Sequence, residues 1–366
     1  MPLGNLDLIA ESFIEAATDP SKWEDALDVV TTVTESCGAL LLPISGRMLQ
    51  SVPHTDSVSS SFEAYVRGGW FDRDERHRGL DLMKRRGVVD DLDVHSIDVI
   101  KRHPYYQEFL APHGLRWFAG ISIQCGKDHW CLSIQRTITQ GPFSEADKSQ
   151  LAPLSTRLSG TAAIAGALGD ATAAGALEAF EMSGRGAALI NREGRFFKLN
   201  QIAEKLLRED LWLVKGRLAA TDTTSIATLE RAVGELINSR GAASRPPIAF
   251  SRKGRHPLLA YPTRLASMAR NALADCQAMI IFVDTEEIRG PPASTLQTAF
   301  RLTEAEARLA AQLACGDSLE TAADLLDIAK ETSRSQLKSI FSKTGAHRQA
   351  ELVAMLSTLL RADDGL

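Results

Sequence analysis

The chain has 366 residues, 44% hydrophobic and 24% charged, with a formal net charge of −5; this is ordinary globular composition, enough for two or three domains. Its five cysteines (Cys37, Cys125, Cys131, Cys276 and Cys315) are scattered and contain no C-x-x-C, which excludes a disulfide framework and a zinc knuckle. No basic, apolar leader opens the chain and no apolar run is long enough to span a bilayer, so the expectation is a cytoplasmic protein without a membrane segment.

Residues 6–36 read as helical, with Trp23 and Leu27 on an apolar face. Strands are expected near 39–43, 118–124 and 130–135. The last two form a hairpin across Cys125-Gly126-Lys127-Asp128, since Ile121 and Ile123 alternate with period two against Trp130, Leu132 and Ile134. Helices around a five- or six-stranded antiparallel sheet resemble a GAF-like sensor, here assigned to residues 1–142.

Within it, Tyr65 and Trp70, followed by Asp72 and Asp74, bring aromatic rings and carboxylates close together in sequence. The arrangement resembles the Y-x-x-x-W…D-P motif of LuxR-type autoinducer-binding domains, with Glu75 in place of the proline. The resemblance implies that Tyr65, Trp70 and Asp74 line a pocket for a small-molecule effector. Tyr105 and Trp117, with Tyr106, Phe109 and Phe118, are candidates for its far wall. The alternative is that the rings are core and the acids a solvated loop. His77, His95, His103, His113 and His129 show no H-x-x-x-H spacing, so no metal or cofactor is expected. No nucleophile motif, phosphate loop or catalytic acid pair stands out, and the expectation is a protein that is not an enzyme.

Residues 143–177 read as a helical linker, Ala-rich and punctuated by glycine over 161–175: a signalling helix or a joint. In 178–285, Ala187-Ala188-Leu189-Ile190-Asn191 and Phe196-Phe197-Lys198-Leu199-Asn200 are strands around the turn Arg192-Glu193-Gly194-Arg195. A helix with Ile202, Leu206 and Leu207 inward follows, and further strands are expected at 247–250, 258–264 and 278–283. Two strands, a helix-rich middle and strands closing a sheet resemble a PAS domain.

A second linker, 286–299, carries Arg289-Gly290-Pro291-Pro292. In the remaining 300–366, Thr303-x-x-Glu306 is a capping box, Gly316 ends that helix, and Asp317-x-x-Glu320 is a second capping box. A third helix is expected over 330–344 with Leu337, Ile340 and Phe341 inward, and a fourth from His347 carrying Leu352, Val353, Leu356, Leu359 and Leu360. Between Lys330 and Arg348 five cations face one anion, Glu331, whereas 302–329 holds six acids against Arg308 alone. Lys330, Arg334 and Lys338, spaced by four, share one helix face opposite the apolar one. Such a helix fits the major groove of double-stranded DNA.

The segment 302–360 resembles the LuxR-type (GerE-like) four-helix DNA-binding domain, whose pattern runs L-T-x-x-E, G-x-s-x-x-x-I-A, S-x-x-T-V-K and K-L/T-G. The resemblance implies that the third helix is the recognition helix. Lys330 begins it; Arg334, Ser335 and Lys338 reach base edges, and Thr332 and Lys343 contact phosphate. The fourth helix would pair two copies on DNA. Ala329 stands where a serine caps the helix, Ser333 where a valine packs inward, and Ala322 where an isoleucine is usual.

The expected fold class is therefore multidomain: an α+β GAF-like sensor, an α+β PAS-like domain and an all-α helix-turn-helix domain. The expected function is a homodimeric, DNA-binding transcription regulator responding to a small molecule. The alternative is a regulator controlled by a partner protein through the upstream modules.

Overall fold

In the computed structural model of the protein the described residues are 3–44, 52–208, 211–220, 222–238, 244–264, 271, 273–286 and 290–359. Two antiparallel sheets follow one another along the chain, each with helices, and a cluster of short helices comes last.

The first unit opens with α1 (Asp7–Thr18) and α2 (Trp23–Val33), followed by β1 (Gly38–Pro43), α3 (Ser59–Arg67), α4 (Leu80–Arg86) and β2 (Val88–Asp90). Two short helices, α5 (Asp91–Val94) and α6 (Ile97–Ile100), and a π-helical turn (Tyr105–Leu110) lead to β3 (Leu115–Cys125) and β4 (Asp128–Thr137). The sheet order is β1-β4-β3-β2, all antiparallel. The hairpin has the expected register, Ile121 opposite Leu132 and Ile123 opposite Trp130, and turns on Gly126 at φ +58°.

Because strand side chains alternate, β4 divides its residues between two faces. Trp130, Leu132 and Ile134 point into a core closed by Phe13 of α1, Trp23 and Leu27 of α2 and Leu151, Leu154 and Leu158 of the helix that follows the sheet. Cys131, Ser133 and Gln135 face the other way, toward α3 and the π-helical turn. The sheet has four strands among the described residues, against the five or six expected. The segment from Val52 adds a bridge between His54 and Leu40 and hydrogen bonds from Leu41 N–H to Pro53 O, Thr55 N–H to Ala39 O and Ala39 N–H to Thr55 Oγ1 along the outer edge of β1.

Next comes α7 (Glu145–Met182), 38 residues long and opened by a capping box between Ser144 and Asp147. It is continuous through the Ala/Gly-rich stretch. Its first half covers the first sheet, and further on Ala173 and Leu177 pack on Ala187, Leu189, Cys276 and Met279 of the second.

The second unit comprises β5 (Gly186–Asn191), β6 (Phe196–Leu199), α8 (Gln201–Leu206), the hairpin β7 (Leu211–Val214) and β8 (Arg217–Ala220), and α9 (Thr223–Asn238). Strands β9 (Ile248–Arg252), β10 (Arg255–Thr263) and β11 (Cys276–Asp284) complete a sheet of order β6-β5-β11-β10-β9. Asn200 caps α8, its Oδ1 accepting from Ala203 N–H and also from Ala187 N–H of β5. The two units are also joined at the first hairpin. Arg192 donates to Asp128 (2.8 Å) and to Ala274 O (2.7 Å), and Asn271 donates to Ala165 O of α7 (2.8 Å).

The C-terminal unit contains α10 (Ala293–Phe300), α11 (Glu304–Ala314), α12 (Leu319–Leu325), α13 (Lys330–Thr344) and α14 (Gln349–Leu356). Helix α10 occupies the second half of the segment expected as linker 286–299 and runs one residue past it; Pro292 precedes its first turn and Leu296 is buried with Leu309, Leu313, Ile340 and Leu352. The unit therefore has five helices among its described residues. Arg289 and Leu360 lie outside those residues. No helix among them is long and apolar enough to cross a membrane.

Candidate effector cavity and nucleic-acid interface

Helix α3 ends at Gly68, and the chain reverses through Gly69, whose φ of +63° is a conformation that glycine adopts without a Cβ clash. A short 3-10 turn (Trp70–Arg73) then returns Asp74 over the last turn of α3. Asp74 caps the next 3-10 turn (Glu75–Gly79): Oδ1 accepts from Arg76 N–H (2.9 Å), and Oδ2 accepts from Tyr65 Oη–H (2.9 Å). Burial, and then the Asp74 charge, pushes the Tyr65 hydroxyl above its ordinary value, so it is a donor at neutral pH.

Arg76 is turned inward beneath this loop. Its Nε and Nη2 donate to the two oxygens of Asp91 (2.9 and 3.3 Å), Nη1 to Gln135 Oε1 (3.2 Å) and Nη2 to Arg116 O (3.3 Å), with the Phe118 ring 4.1 Å from the guanidinium carbon. Asp91 also accepts from Tyr106 Oη–H (2.8 Å) and Phe118 N–H (2.7 Å). Burial opposes charge on both partners. The paired carboxylate nevertheless holds the Arg76 guanidinium well above its ordinary value; burial leaves the Asp91 carboxyl raised, against the lowering effect of Arg76 and of the other donors that converge on it.

Of the polar groups, Tyr65, Asp74, Arg76, Ser133 and Gln135 line one end of a cavity whose empty space, open solvent at its mouth included, is about 790 Å³. Its remaining wall is apolar and aromatic, with Leu40, Phe62, Phe71, Met83, Tyr105, Phe109 and Phe118. Gln135 donates to Ser133 Oγ (2.7 Å), and burial pushes the Cys131 thiol up to about 12, keeping it neutral. The structure thus brings Tyr65, Asp74 and Tyr105 together around one space. Trp70 and Trp117 are not among its lining residues. Trp70 stacks on Phe109 (centroids 5.2 Å apart) under the Arg73 guanidinium, and Trp117 is half-buried. Sequence reasoning missed Arg76, Ser133 and Gln135. For the last two a signal existed: polar residues at alternate positions of a strand whose other face carries Trp130, Leu132 and Ile134.

At the C-terminal end, Thr303 and Glu306 form the expected capping box, with Thr303 N–H donating to Glu306 (2.7 Å) and Glu306 N–H to Thr303 Oγ1 (3.3 Å). The cap of α12 is Ser318, which accepts from Thr321 N–H, and not Asp317 one residue earlier. Helix α13 has no side-chain cap at Ala329, and Ser333 is buried at 1% exposure, its Oγ donating to Lys330 O. Thr332, Arg334, Ser335 and Lys338 are exposed on the side away from Ile340. Arg334 reaches Glu331 (2.9 Å) and Lys330 reaches Glu320 (3.1 Å), both pairs on the surface. Lys343 binds Glu306 at 2.6 Å.

No family model and no curated protein matches the chain. Several solved structures are similar at low identity. The phage VqmA–DPO complex is 16% identical over 51% of this chain and 86% of that chain, with a TM-score of 0.25. The ligand-binding domain of VqsR from Pseudomonas aeruginosa is 16% identical over 41% and 92%, with a TM-score of 0.32. The Vibrio cholerae VqmA dimer is 13% identical over 51% and 94%, with a TM-score of 0.21. TM-scores this low carry no argument for fold or function.

Proposed function

We propose that the chain is a sequence-specific DNA-binding transcription regulator of LuxR type, controlled by a small molecule held in the first unit, and that it acts by binding and not by turnover. The observation that carries the DNA half is α13. It is seated by Ile340 in a capped helical core, and Arg334, Ser335 and Lys338 are left on its outer side. Arginine and lysine on such a helix donate to guanine O6 and N7 in the major groove, while Thr332, Lys330 and Lys343 serve the backbone. Two copies on a twofold-symmetric site match the symmetry of duplex DNA. The second unit, with two strands, a helix-bearing middle and strands closing the sheet, is the PAS-like relay between them.

The cavity favours an uncharged, mainly apolar effector. Asp91 already neutralises Arg76, so an anion gains no free cation there and meets the Asp74 carboxylate as well. Asp74 accepts a donor from the ligand, and Ser133 offers a hydroxyl in return. A smaller hollow of about 280 Å³ in the second unit, walled by Phe196, Leu218 and Leu229, suits packing more than an effector.

Selection of bound duplexes from a random library by the full chain tests this reading. The expected result is an enriched twofold-symmetric site that Arg334→Ala loses, at a cost of about 1–3 kcal/mol. Equal loss on cognate and random DNA would remove Arg334 from base reading. A thermal shift induced in the full chain by an uncharged compound, and abolished by Asp74→Ala, tests the cavity.

A further inference from the structure

Between Lys330 and Arg348 the sequence has one acid, Glu331, and α13 carries it in its first turn. Ser333 and Ile340 are buried and mark the inner side of this helix. At 100° per residue Glu331 lies about 160° from Ser333 and about 180° from Ile340, which puts it at the crest of the outer side. Arg334 flanks it at about 60° on one side and Ser335 at about 40° on the other, while Lys338, two turns on, is about 20° out of line. The Glu331 side chain is 84% exposed. A carboxylate thus stands in the middle of the surface that α13 would turn toward DNA.

Its partner is Arg334, whose Nη1 lies 2.9 Å from Glu331 Oε1, whereas the neighbouring Lys330 is turned to Glu320 of α12 (3.1 Å). An exposed pair of this kind contributes little to stability, so the fold does not account for the acid. An acid in the first turn does favour a helix N-terminus, and α13 has no side-chain cap there. That role is open equally to positions 330 and 332, at the sides of the outer face; it does not call for a negative charge at the crest, where phosphate repels it. In the major groove an ionised carboxylate, which only accepts, finds its donor in cytosine N4, whereas guanine O6 and N7 and thymine O4 are acceptors that repel it. Adenine offers N6 but sets the N7 acceptor beside it.

We infer that Glu331 is a specificity-determining residue that accepts from cytosine N4 in the base pair beside the one Arg334 contacts. This role rests on the reading of α13 as the helix that enters the major groove, and it adds an acid to contacts otherwise made by cations and hydroxyls. The first turn of such a helix is the part that reaches base edges. Three residues advance about 4.5 Å along a helix and one base step about 3.4 Å, so positions 331 and 334 meet neighbouring pairs. With cytosine in place the carboxylate is satisfied and still holds Arg334 beside it. With guanine or thymine in place it faces acceptors, so Glu331 acts chiefly by rejecting wrong sites.

Duplex selection from a random library by the full chain, run side by side for the wild type, Glu331→Gln and Glu331→Ala, tests it. The wild type is expected to enrich a site with a fixed cytosine column. Glu331→Gln should move that column toward adenine, whose N6 and N7 suit a glutamine amide, and Glu331→Ala should leave it unselective. In Glu331→Ala the affinity for the wild-type site relative to random DNA should fall about tenfold, with binding to random DNA no weaker. A selected site without a cytosine column, or one unchanged in both variants, overturns the inference. So does an equal loss on selected and random DNA, which would assign Glu331 to the helix N-terminus alone. Selection of no duplex by the wild type removes the regulator reading and this role with it, whereas an unchanged column in a chain that selects DNA removes this role only.

Discussion

Lys343 Nζ lies 2.6 Å from Glu306 Oε2, joining the last turn of α13 to the first turn of α11. Glu306 also accepts from Ser339 Oγ–H (2.7 Å) and Thr303 N–H (2.7 Å). Burial alone would raise this carboxyl, but the bonds from Lys343, Ser339 and Thr303 outweigh burial and bring it to about 2. Its folded value thus lies below the ordinary 4.5. The contribution to stability is fully present above 4.5 and is lost as pH falls through about 2. Melting of the C-terminal unit followed from pH 5 to pH 2 should show this loss in the wild type and a flatter profile in Glu306→Gln, which begins less stable. Parallel profiles would mean that Glu306 is not the titrating group.

Ala329 gives α13 no side-chain cap. Ala329→Ser supplies an oxygen for an orphan N–H of the first turn and should stabilise the C-terminal unit by about 1 kcal/mol. Denaturant titration measures the gain. An unchanged midpoint would show that the first turn of α13 does not limit the stability of this unit.

Arg76 and Asp91 are both buried, so removing one partner leaves the other uncompensated. Arg76→Met should cost about 3–5 kcal/mol in the common denaturation of the first two units. Arg76→Met with Asp91→Leu should recover much of it, because no lone charge then remains. If the double substitution is no better than the single one, the guanidinium acts through packing on Phe118 and not through its charge.

Tyr65→Phe keeps the ring against Phe109 and removes only the hydroxyl donated to Asp74. Stability should fall by about 0.5–1.5 kcal/mol. Asp74 then has a free acceptor, so an effector that donates to it should gain affinity while a purely apolar one does not. Effector-induced shifts in melting temperature distinguish the two.

The parts of the fold that were legible in the sequence are those written in local chemistry. Alternation fixed the register of the hairpin, the Thr303–Glu306 box the start of α11, and cationic spacing the outer side of α13. Boundaries slipped where two residues offered the same chemistry, as at Asp317 and Ser318. The Pro291-Pro292 pair read as linker, although a proline just before a helix is compatible with its first turn, and Leu296 had no pattern around it to announce burial. Arg76 was illegible for a stronger reason. It sits in Asp72-Arg73-Asp74-Glu75-Arg76-His77-Arg78, a run that reads as solvated surface, and its partners Asp91 and Gln135 lie far along the chain. Trp70 looked like a cavity residue through the Y-x-x-x-W…D-P resemblance, but after the reversal at Gly69 its ring packs on Phe109 and Tyr105 beneath Arg73 and does not line the cavity.

Helix α7 belongs to two cores at once: Leu151, Leu154 and Leu158 complete the first, and Ala173 and Leu177 the last wall of the second. Neither unit can therefore be cut away whole. A protease nick near residue 168 would strip a wall from both, and neither sheet can melt while the other keeps its share of the helix undisturbed. Heat should accordingly take the first two units through one common transition, which leaves the C-terminal helices as the part of the chain free to unfold alone.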